Sequence, residues 1–597
     1  MESGQKPDYA QRIHLVRIQM AEKNLSGLIV RGTDRYLNEY VPENESTRVW
    51  LSGFTGSTGE LFITPDKAFL FVDGRYYLQA DQQADLKIFE AVKVPLGTSL
   101  EKSLIQKIFD LWIDRSKNRN DLFPKADARI GFEPDRLSIE TFKRLKEGAG
   151  KLNIEWVPLL PSIVEAVRGP VKEKTGKIWQ VSPSLTGLTV DQKLGHLRDF
   201  MKSHGIHLWI VQTLDEIAYM TNLRGNEIPY QTTFKSLLLV TPDQCYAALP
   251  KPERTGQIVE KELTFVEMDQ WEKFLPKMPK TAAAGYDPST TTESIRLTLA
   301  SHGLNPVPLS SPIAKMKAVK TPEELAHMMK AFERADQVVH RAKQWLCKKV
   351  SAGEKITEAQ FAERVAKLFK QSGAIALSFH IISAAGKNGA VIHYSTPDPK
   401  RIILNGELML LDTGAYYEGG YATDLTRTFL AGGSKTKGTD EQRKFFTLIL
   451  KGAIAGMEAS FPKGTSGAVM DTLVRAPLWK AGYNYNHGTG HGVGINVHES
   501  PPRLSPYGSD VLEKGHIFSI EPGLYLPEFG GIRIENLCTV IDHPKYPGWL
   551  MVAPLTFSPL DDRLIDPALL TAGEKKWLKW YKDQFKITRT SPPCYEA

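Results

Sequence analysis

Cysteine is scarce in this chain: there are four in 597 residues, at Cys245, Cys347, Cys538 and Cys594, far apart and without a CxxC pair. Such spacing excludes a zinc ribbon and a secreted disulfide framework. Long apolar runs are missing too. No stretch approaches the ~18 consecutive apolar residues needed to span a bilayer, and the opening Met1-Glu2-Ser3-Gly4-Gln5-Lys6-Pro7-Asp8 carries no apolar signal segment. Charge of one sign is not in excess either. The chain has 75 basic and 68 acidic residues, a net +7, and no run of five like charges. Neither nucleic acid nor a membrane surface is therefore an expected partner. Hydrophobic residues at 42% and charged ones at 24% are ordinary globular usage, which excludes a disordered or collagen-like chain. The expectation is a cytoplasmic protein of several domains.

What is present first declares itself as a repeat. Arg17, Met20, Leu25, Ile29, Val30 and Asp34 recur 181 residues later as Arg198, Met201, Ile206, Ile210, Val211 and Asp215. Each copy reads as an amphipathic helix, a turn, an apolar strand (Leu28-Ile29-Val30; Trp209-Ile210-Val211) and an aspartate. Two similar α/β domains are expected, joined by the Pro- and Lys-containing stretch 169–177. A second boundary falls near Lys320. There Thr321-Pro322-Glu323-Glu324 offers an N-cap, a proline at the first helical position and a glutamate three residues after the cap, opening a long helix. The expected fold class is α/β (α+β) in three domains: 1–175, 176–318 and a larger catalytic domain, 319–597.

The last third interrupts apolar strands with carboxylates and imidazoles. Leu408-Met409-Leu410-Leu411 runs into Asp412, and the chain turns at Glu418-Gly419-Gly420 to return through Asp424-Leu425-Thr426-Arg427-Thr428. A hairpin of this kind puts Asp412 and Asp424 on adjacent strands, although a lone aspartate near glycine usually caps a turn. His487-Gly488-Thr489-Gly490-His491-Gly492-Val493-Gly494 follows, with His498 seven residues beyond His491. Its glycines disfavour a helix, so it is not an HExxH site, and GxGxxG fails at Val493. Phe518-Ser519-Ile520 ends on Glu521, and Ile532-Arg533-Ile534-Glu535-Asn536 alternates like a strand, with Arg533 and Glu535 on one face. Buried carboxylates need partners. Arg427 and Arg533 could supply salt bridges, but four acids outnumber two arginines, and salt bridges leave the histidines unexplained. Two divalent cations would balance Asp412, Asp424, Glu521 and Glu535. Mostly oxygen ligands with one nitrogen favour Mn²⁺, with Co²⁺ or Zn²⁺ possible.

The order Asp412, Asp424, His491, Glu521, Glu535 resembles the dimetal signature of the pita-bread metallopeptidases. The block 487–494, Ala390-Val391-Ile392-His393-Tyr394, and the amino-terminal motifs Ser52-Gly53-Phe54-Thr55-Gly56-Ser57, Asp73-Gly74-Arg75-Tyr76 and Leu214–Ala218 with Asn222–Gly225 resemble its long aminopeptidase P branch. The resemblance implies two creatinase-like domains before a pita-bread catalytic domain, commonly paired as a homodimer. It implies release of the first residue from peptides with proline second, by a hydroxide held between two metals. Asp424 and Glu535 would bridge the metals, Asp412 would complete one shell, and His491 and Glu521 the other. Glu521 would carry the proton, His393 and His498 would hydrogen-bond the substrate, His487 would wall the proline pocket, and Arg533 would orient carboxylates. Two departures stand out: the His491–His498 spacing is shorter than in many long members, and Ser500 replaces a usual glycine. An Xaa-Pro dipeptidase of the prolidase type and a metal-free binding module are the alternatives.

Overall fold

A computed structural model describes residues 7–117, 128–150, 152–256, 258, 260–277, 279 and 281–588; Cys594 and the first six residues lie outside it. The strand Gly27–Val30 is buried throughout, as its run of Leu, Ile and Val requires, and it sits inside a six-stranded sheet. The order across that sheet is Glu90–Lys93, Ala68–Val72, Glu60–Ile63, Gly27–Val30, Ala128–Phe132, Ile154–Pro158. A second six-stranded sheet runs Thr264–Glu267, Cys245–Leu249, Leu237–Val240, Leu208–Val211, Ala283–Tyr286, Asn305–Pro308. Both share one pattern of directions. The two strands on one side of Gly27–Val30 and of Leu208–Val211 are antiparallel, the outermost beyond them is parallel to its neighbour, and the two on the other side are parallel. The sequence repeat is therefore one topology used twice, each copy led in by a helix, Tyr9–Glu22 or Val190–Ser203.

The long helix Pro322–Ser351 begins as its cap dictates. Glu324 N–H donates to Thr321 Oγ1 at 3.1 Å, and Glu324 Oε2 accepts from Thr321 N–H at 3.0 Å. Beyond it lie two larger antiparallel sheets and two two-stranded ones, Ala376–Leu377 with Ala415–Tyr416 and Gly523–Leu526 with Gly530–Arg533. A three-stranded one joins Ile382–Ala385, Leu408–Thr413 and Leu425–Leu430. A six-stranded one runs Ser460–Pro462, Trp549–Pro554, Asn536–Asp542, Ile517–Ile520, Gly490–Gly492, Glu499–Leu504. Phe446, Leu450 and Ala453 from helix Asp440–Met457, and Met470, Val474 and Leu478 from helix Gly467–Lys480, pack on Phe518, Ile520 and Val540 of that sheet. Each such fully buried large side chain stabilises the fold by about 1.5–3 kcal/mol.

The final helix, Ala572–Thr588, docks Trp577, Leu578, Tyr581 and Phe585 on the same core. Its lysines stay outward while this apolar face packs inward. The Tyr581 hydroxyl accepts from Arg427 Nη2 at 2.7 Å and from Asn536 Nδ2 at 2.8 Å, which ties the helix to both sheets. No helix among the described residues is long and apolar enough to cross a membrane.

Candidate metal centre

The two larger sheets of the carboxy-terminal domain converge on the acids. In the hairpin Asp412 stands opposite Thr426, and Asp424 immediately precedes the returning strand. Glu521 follows the strand Ile517–Ile520, and its N–H donates to Thr489 O at 2.8 Å. Glu535 lies between the strands Gly530–Arg533 and Asn536–Asp542, which belong to different sheets. The alternating run 532–536 is thus broken in the middle, although Arg533 and Glu535 both still reach the site. Glu535 is pinned through its backbone: its N–H donates to Thr426 O at 3.2 Å and its carbonyl accepts from Arg427 Nη1 at 2.6 Å. Arg427 spends its remaining donors on Thr426 O, Ser558 O and Tyr581 and pairs with none of the acids.

Arg533 does pair. It is 2% exposed and donates to Asp412 Oδ2 at 2.5 Å, to Tyr525 Oη at 2.8 Å and to Thr426 Oγ1 at 3.1 Å. Among the described residues it is the one Lys or Arg within 4.0 Å of any of the four carboxylates. Charge therefore stays unbalanced. Burial, then the neighbouring Glu535, Asp412 and Glu521, push the Asp424 carboxyl well above its ordinary range. Burial and Glu535 do the same to Glu521, and burial with Asp412 raises Glu535 to about 7.

Three overlapping sets of ligand-type atoms lie within 4.8 Å of one another: Asp412, Asp424, Glu535; His491, Glu521, Glu535; and Asp424, His491, His498. Two local details fit cations among them. Asp412 Oδ1 is buried without a hydrogen-bond partner, an expense that coordination would remove. His491 Nδ1 faces Gly492 O at 3.1 Å, so it must donate, and that leaves Nε2 with its lone pair. That lone pair lies 3.6 Å from Asp424 Oδ2 and 3.4 Å from Glu521 Oε1. Burial lowers His491 to about 3, so the ring is neutral and cannot itself supply the missing charge. Thr426 Oγ1 donates to Glu535 Oε2 at 2.8 Å and Ser519 Oγ to Glu521 Oε1 at 3.2 Å, holding each carboxylate from behind.

The other histidines are held differently. His487 stands apart from the three sets. Its Nδ1 donates to Gly488 O at 2.6 Å, its Nε2 accepts from Tyr525 Oη at 2.9 Å, and burial holds it well below its usual pKa. Burial also depresses His393, whose Nδ1 lies 2.8 Å from the Tyr76 hydroxyl. His498, by contrast, sits among the ligand-type atoms, its ring edge-on to His491 at 4.3 Å. Burial would lower its pKa, but Glu39 at 2.6 Å from Nδ1 outweighs that and raises it.

Glu39 and Tyr76 come from the amino-terminal domain, and Ser57 joins them. Its Oγ donates to Glu39 Oε1 at 2.8 Å and lies 2.7 Å from the Tyr76 hydroxyl. A polar chain His498–Glu39–Ser57–Tyr76–His393 thus connects two histidines of the catalytic domain through the first domain. Ser57 and Tyr76 fall inside motifs quoted above, while Glu39 had no signal in the sequence. Two cavities meet at the acids. One, of ≈ 410 Å³, is walled by Tyr40, Tyr230, Phe379 and Ile392 from all three domains. The other, of ≈ 710 Å³, is walled by His487, Gly488, Arg75 and Arg503.

Comparison with known proteins agrees along the whole length. Residues 326–542 match the model of metallopeptidase family M24, and 12–169 and 170–324 each match a creatinase/prolidase N-terminal domain. The chain is 32% identical to an uncharacterised peptidase of Schizosaccharomyces pombe over 97% of its length and 96% of that protein. It is 30% identical to a probable Xaa-Pro aminopeptidase P of Coprinopsis cinerea (97% and 94% covered) and 32% identical to aminopeptidase P2 of Arabidopsis thaliana (93% and 82%). The crystal structure of an X-prolyl aminopeptidase from Caenorhabditis elegans, described as a cytosolic enzyme with a di-nuclear active site, superposes with a TM-score of 0.87 at 26% identity, over 98% of this chain and 96% of that one. A prolidase from Thermococcus sibiricus gives a TM-score of 0.52 at 25% identity and spans 63% of this chain with 99% of its own.

Proposed function

The chain belongs to the three-domain aminopeptidase P branch of metallopeptidase family M24, and on that premise we propose how it works. It is a metal-dependent Xaa-Pro aminopeptidase, which releases the first residue from peptides whose second residue is proline. The observation that carries this reading is the set of three buried acids and the half-buried Glu521, with one Lys or Arg partner, around a neutral His491 whose lone pair faces two of them. A metal-free binding module would have no use for such a set. A dipeptidase of the prolidase length would have no counterpart for more than a third of this chain.

Asp412, Asp424 and Glu535 are assigned to one divalent ion, and His491, Glu521, Asp424 and Glu535 to a second, with Asp424 and Glu535 shared. Oxygen-rich donors favour Mn²⁺, with Co²⁺ or Zn²⁺ as alternatives. When bound, the pair of ions supplies Lewis acidity that acidifies water and polarises the scissile carbonyl. Glu521 takes the proton of the attacking water and hands it to the proline nitrogen, which has no hydrogen of its own in the tertiary amide. His498, its pKa raised by pairing with Glu39, donates to a substrate carbonyl and to the developing oxyanion, while His393, its Nδ1 proton held by Tyr76, accepts from a substrate N–H through Nε2. His487 and Tyr525, locked to each other and to Arg533, wall the pocket for the proline ring. Arg533 keeps Asp412 turned toward the ion.

The domain limits assigned are 1–175, 176–318 and 319–597. A cytoplasmic homodimer, paired through the catalytic domain, is the proposed working form. The test compares hydrolysis of an Xaa-Pro-Yaa tripeptide with that of an Xaa-Pro dipeptide, before and after chelation and re-addition of Mn²⁺. The tripeptide should be cleaved only with metal and much faster than the dipeptide; a preference for the dipeptide would reassign the protein as a prolidase.

A further inference from the structure

Glu358 is a fifth buried acid of the catalytic domain, 0% exposed, in the first turn of the helix Glu358–Gln371. It lines neither cavity at the metal centre, and among the described residues no Lys or Arg lies within 4.0 Å of it. Hydrogen-bond donors surround it instead. Oε1 accepts from Ala385 N–H at 2.7 Å and Asn388 Nδ2 at 3.1 Å, while Oε2 accepts from the Tyr394 hydroxyl at 2.8 Å and Asp398 N–H at 3.1 Å. The helix N-terminus adds a field that favours an anion. Burying a carboxylate is costly unless its oxygens are met in this way. All of these donors come from 385–398, and they bracket His393. Asn388 also donates to Tyr394 Oη at 3.0 Å, so the anchors on the two sides of His393 are joined to each other. The segment between them needs such ties. Residues 391–400 form neither helix nor strand, and the backbone bonds around His393 are short turns, Val391 N–H to Asn388 O at 3.0 Å and Ser395 N–H to His393 O at 2.7 Å. Arg533 adds one bond from outside, to Ile392 O at 3.3 Å.

Resting on the aminopeptidase reading above, we propose that Glu358 is a positioning residue: it holds 385–398 so that His393 meets the substrate. Glu358 itself touches no substrate. The pattern of bonds explains why a carboxylate stands here. One oxygen faces the backbone N–H of Ala385 and the other that of Asp398, and neither N–H can turn round to accept. A glutamine offers one oxygen and one NH₂, so in either orientation one of these backbone donors loses its partner. Asn388 and Tyr394 are side chains and can reorient; the backbone groups cannot. A displacement of about 1 Å in a group that positions substrate can cost up to ~10²-fold in rate.

The test is a double-mutant cycle with the metal-loaded full chain and an Xaa-Pro-Yaa tripeptide. Glu358→Gln should lower kcat/KM about tenfold, chiefly through KM, because the bond His393 accepts from a substrate N–H is made before reaction as well as during it. Tyr394→Phe removes one side-chain donor and leaves both backbone bonds. Its loss should be smaller, about threefold, and it carries the test if Glu358→Gln does not fold. Metal content and circular dichroism establish that each variant is loaded and folded. In a His393→Ala background both substitutions should change kcat/KM by less than about twofold, since the imidazole they position is gone. An undiminished loss on top of His393→Ala would make Glu358 a purely structural residue and overturn the proposal. Unchanged kinetics in the folded variants, or in His393→Ala itself, would overturn it too. A loaded wild type that cleaves no Xaa-Pro tripeptide would instead overturn the aminopeptidase reading.

Discussion

The hydroxyl of Tyr76, in the first domain, lies 2.8 Å from Nδ1 of His393, 317 residues further along the chain. The same hydroxyl meets Ser57, so one buried tyrosine couples the His393 imidazole to Glu39 and His498. Tyr76→Phe keeps the ring, which packs edge-on to Phe54 and His393, and removes only the hydroxyl with its bonds to His393 and Ser57. Loss of one such bond is worth about 1 kcal/mol. The expected result is a roughly fivefold lower kcat/KM at unchanged metal content, measured by steady-state kinetics beside elemental analysis.

Glu521→Gln should leave the fold intact and lower kcat by ~10²–10⁴-fold, the usual contribution of a positioned acid–base group. The amide can still coordinate weakly but cannot relay a proton. Near-normal turnover by a fully loaded variant would remove Glu521 as the proton carrier.

The hairpin aspartates should behave unequally toward metal. Asp412→Ala removes a ligand assigned to one ion, and should deplete chiefly one per chain. Asp424→Ala removes a shared ligand, so that two cations would face each other with less negative charge between them; both sites should empty. Elemental analysis of the two folded variants checks this. Equal retention of metal would contradict the division of roles.

Glu216, in the second domain, predicts a pH dependence of stability. It is 4% exposed, its Oε2 accepts from Ser311 Oγ at 2.9 Å, and burial together with Asp215 raises it to about 8 against the opposing charge of Lys317. The folded protein therefore holds a proton that the unfolded chain releases above about 4.5, and stability from this group falls as pH rises from there to about 8. Glu216→Gln cannot lose a proton. Its melting temperature should gain on that of the wild type as pH rises from 5 to 8, whereas a constant difference would contradict the assignment.

Much of this was legible because it is local. The repeated helix and strand could be matched residue by residue, and Asp412 and Glu521 each follow an apolar run of strand residues. Arg427 was a candidate partner for those acids, yet it points away. Along Leu425–Leu430 side chains alternate, and it is Thr426 and Thr428 that reach Glu535 Oε2 and Arg533 O. The break between Arg533 and Asn536 was hidden because two short strands in different sheets keep the same alternation. Glu39 was invisible for another reason. It sits in a polar loop segment, Asn38-Glu39-Tyr40, and only docking of the first domain brings it to His498, 459 residues away. No local pattern records such a contact.

Anomalous scattering from crystals of the protein loaded with Mn²⁺ is the most direct test of the centre itself. The account predicts two peaks about 3.5–4 Å apart, as in other two-metal sites. One should lie against Asp412, Asp424 and Glu535, the other against His491 and Glu521, with Asp424 and Glu535 between them. A single peak, or two peaks away from these residues in an active protein, would contradict it.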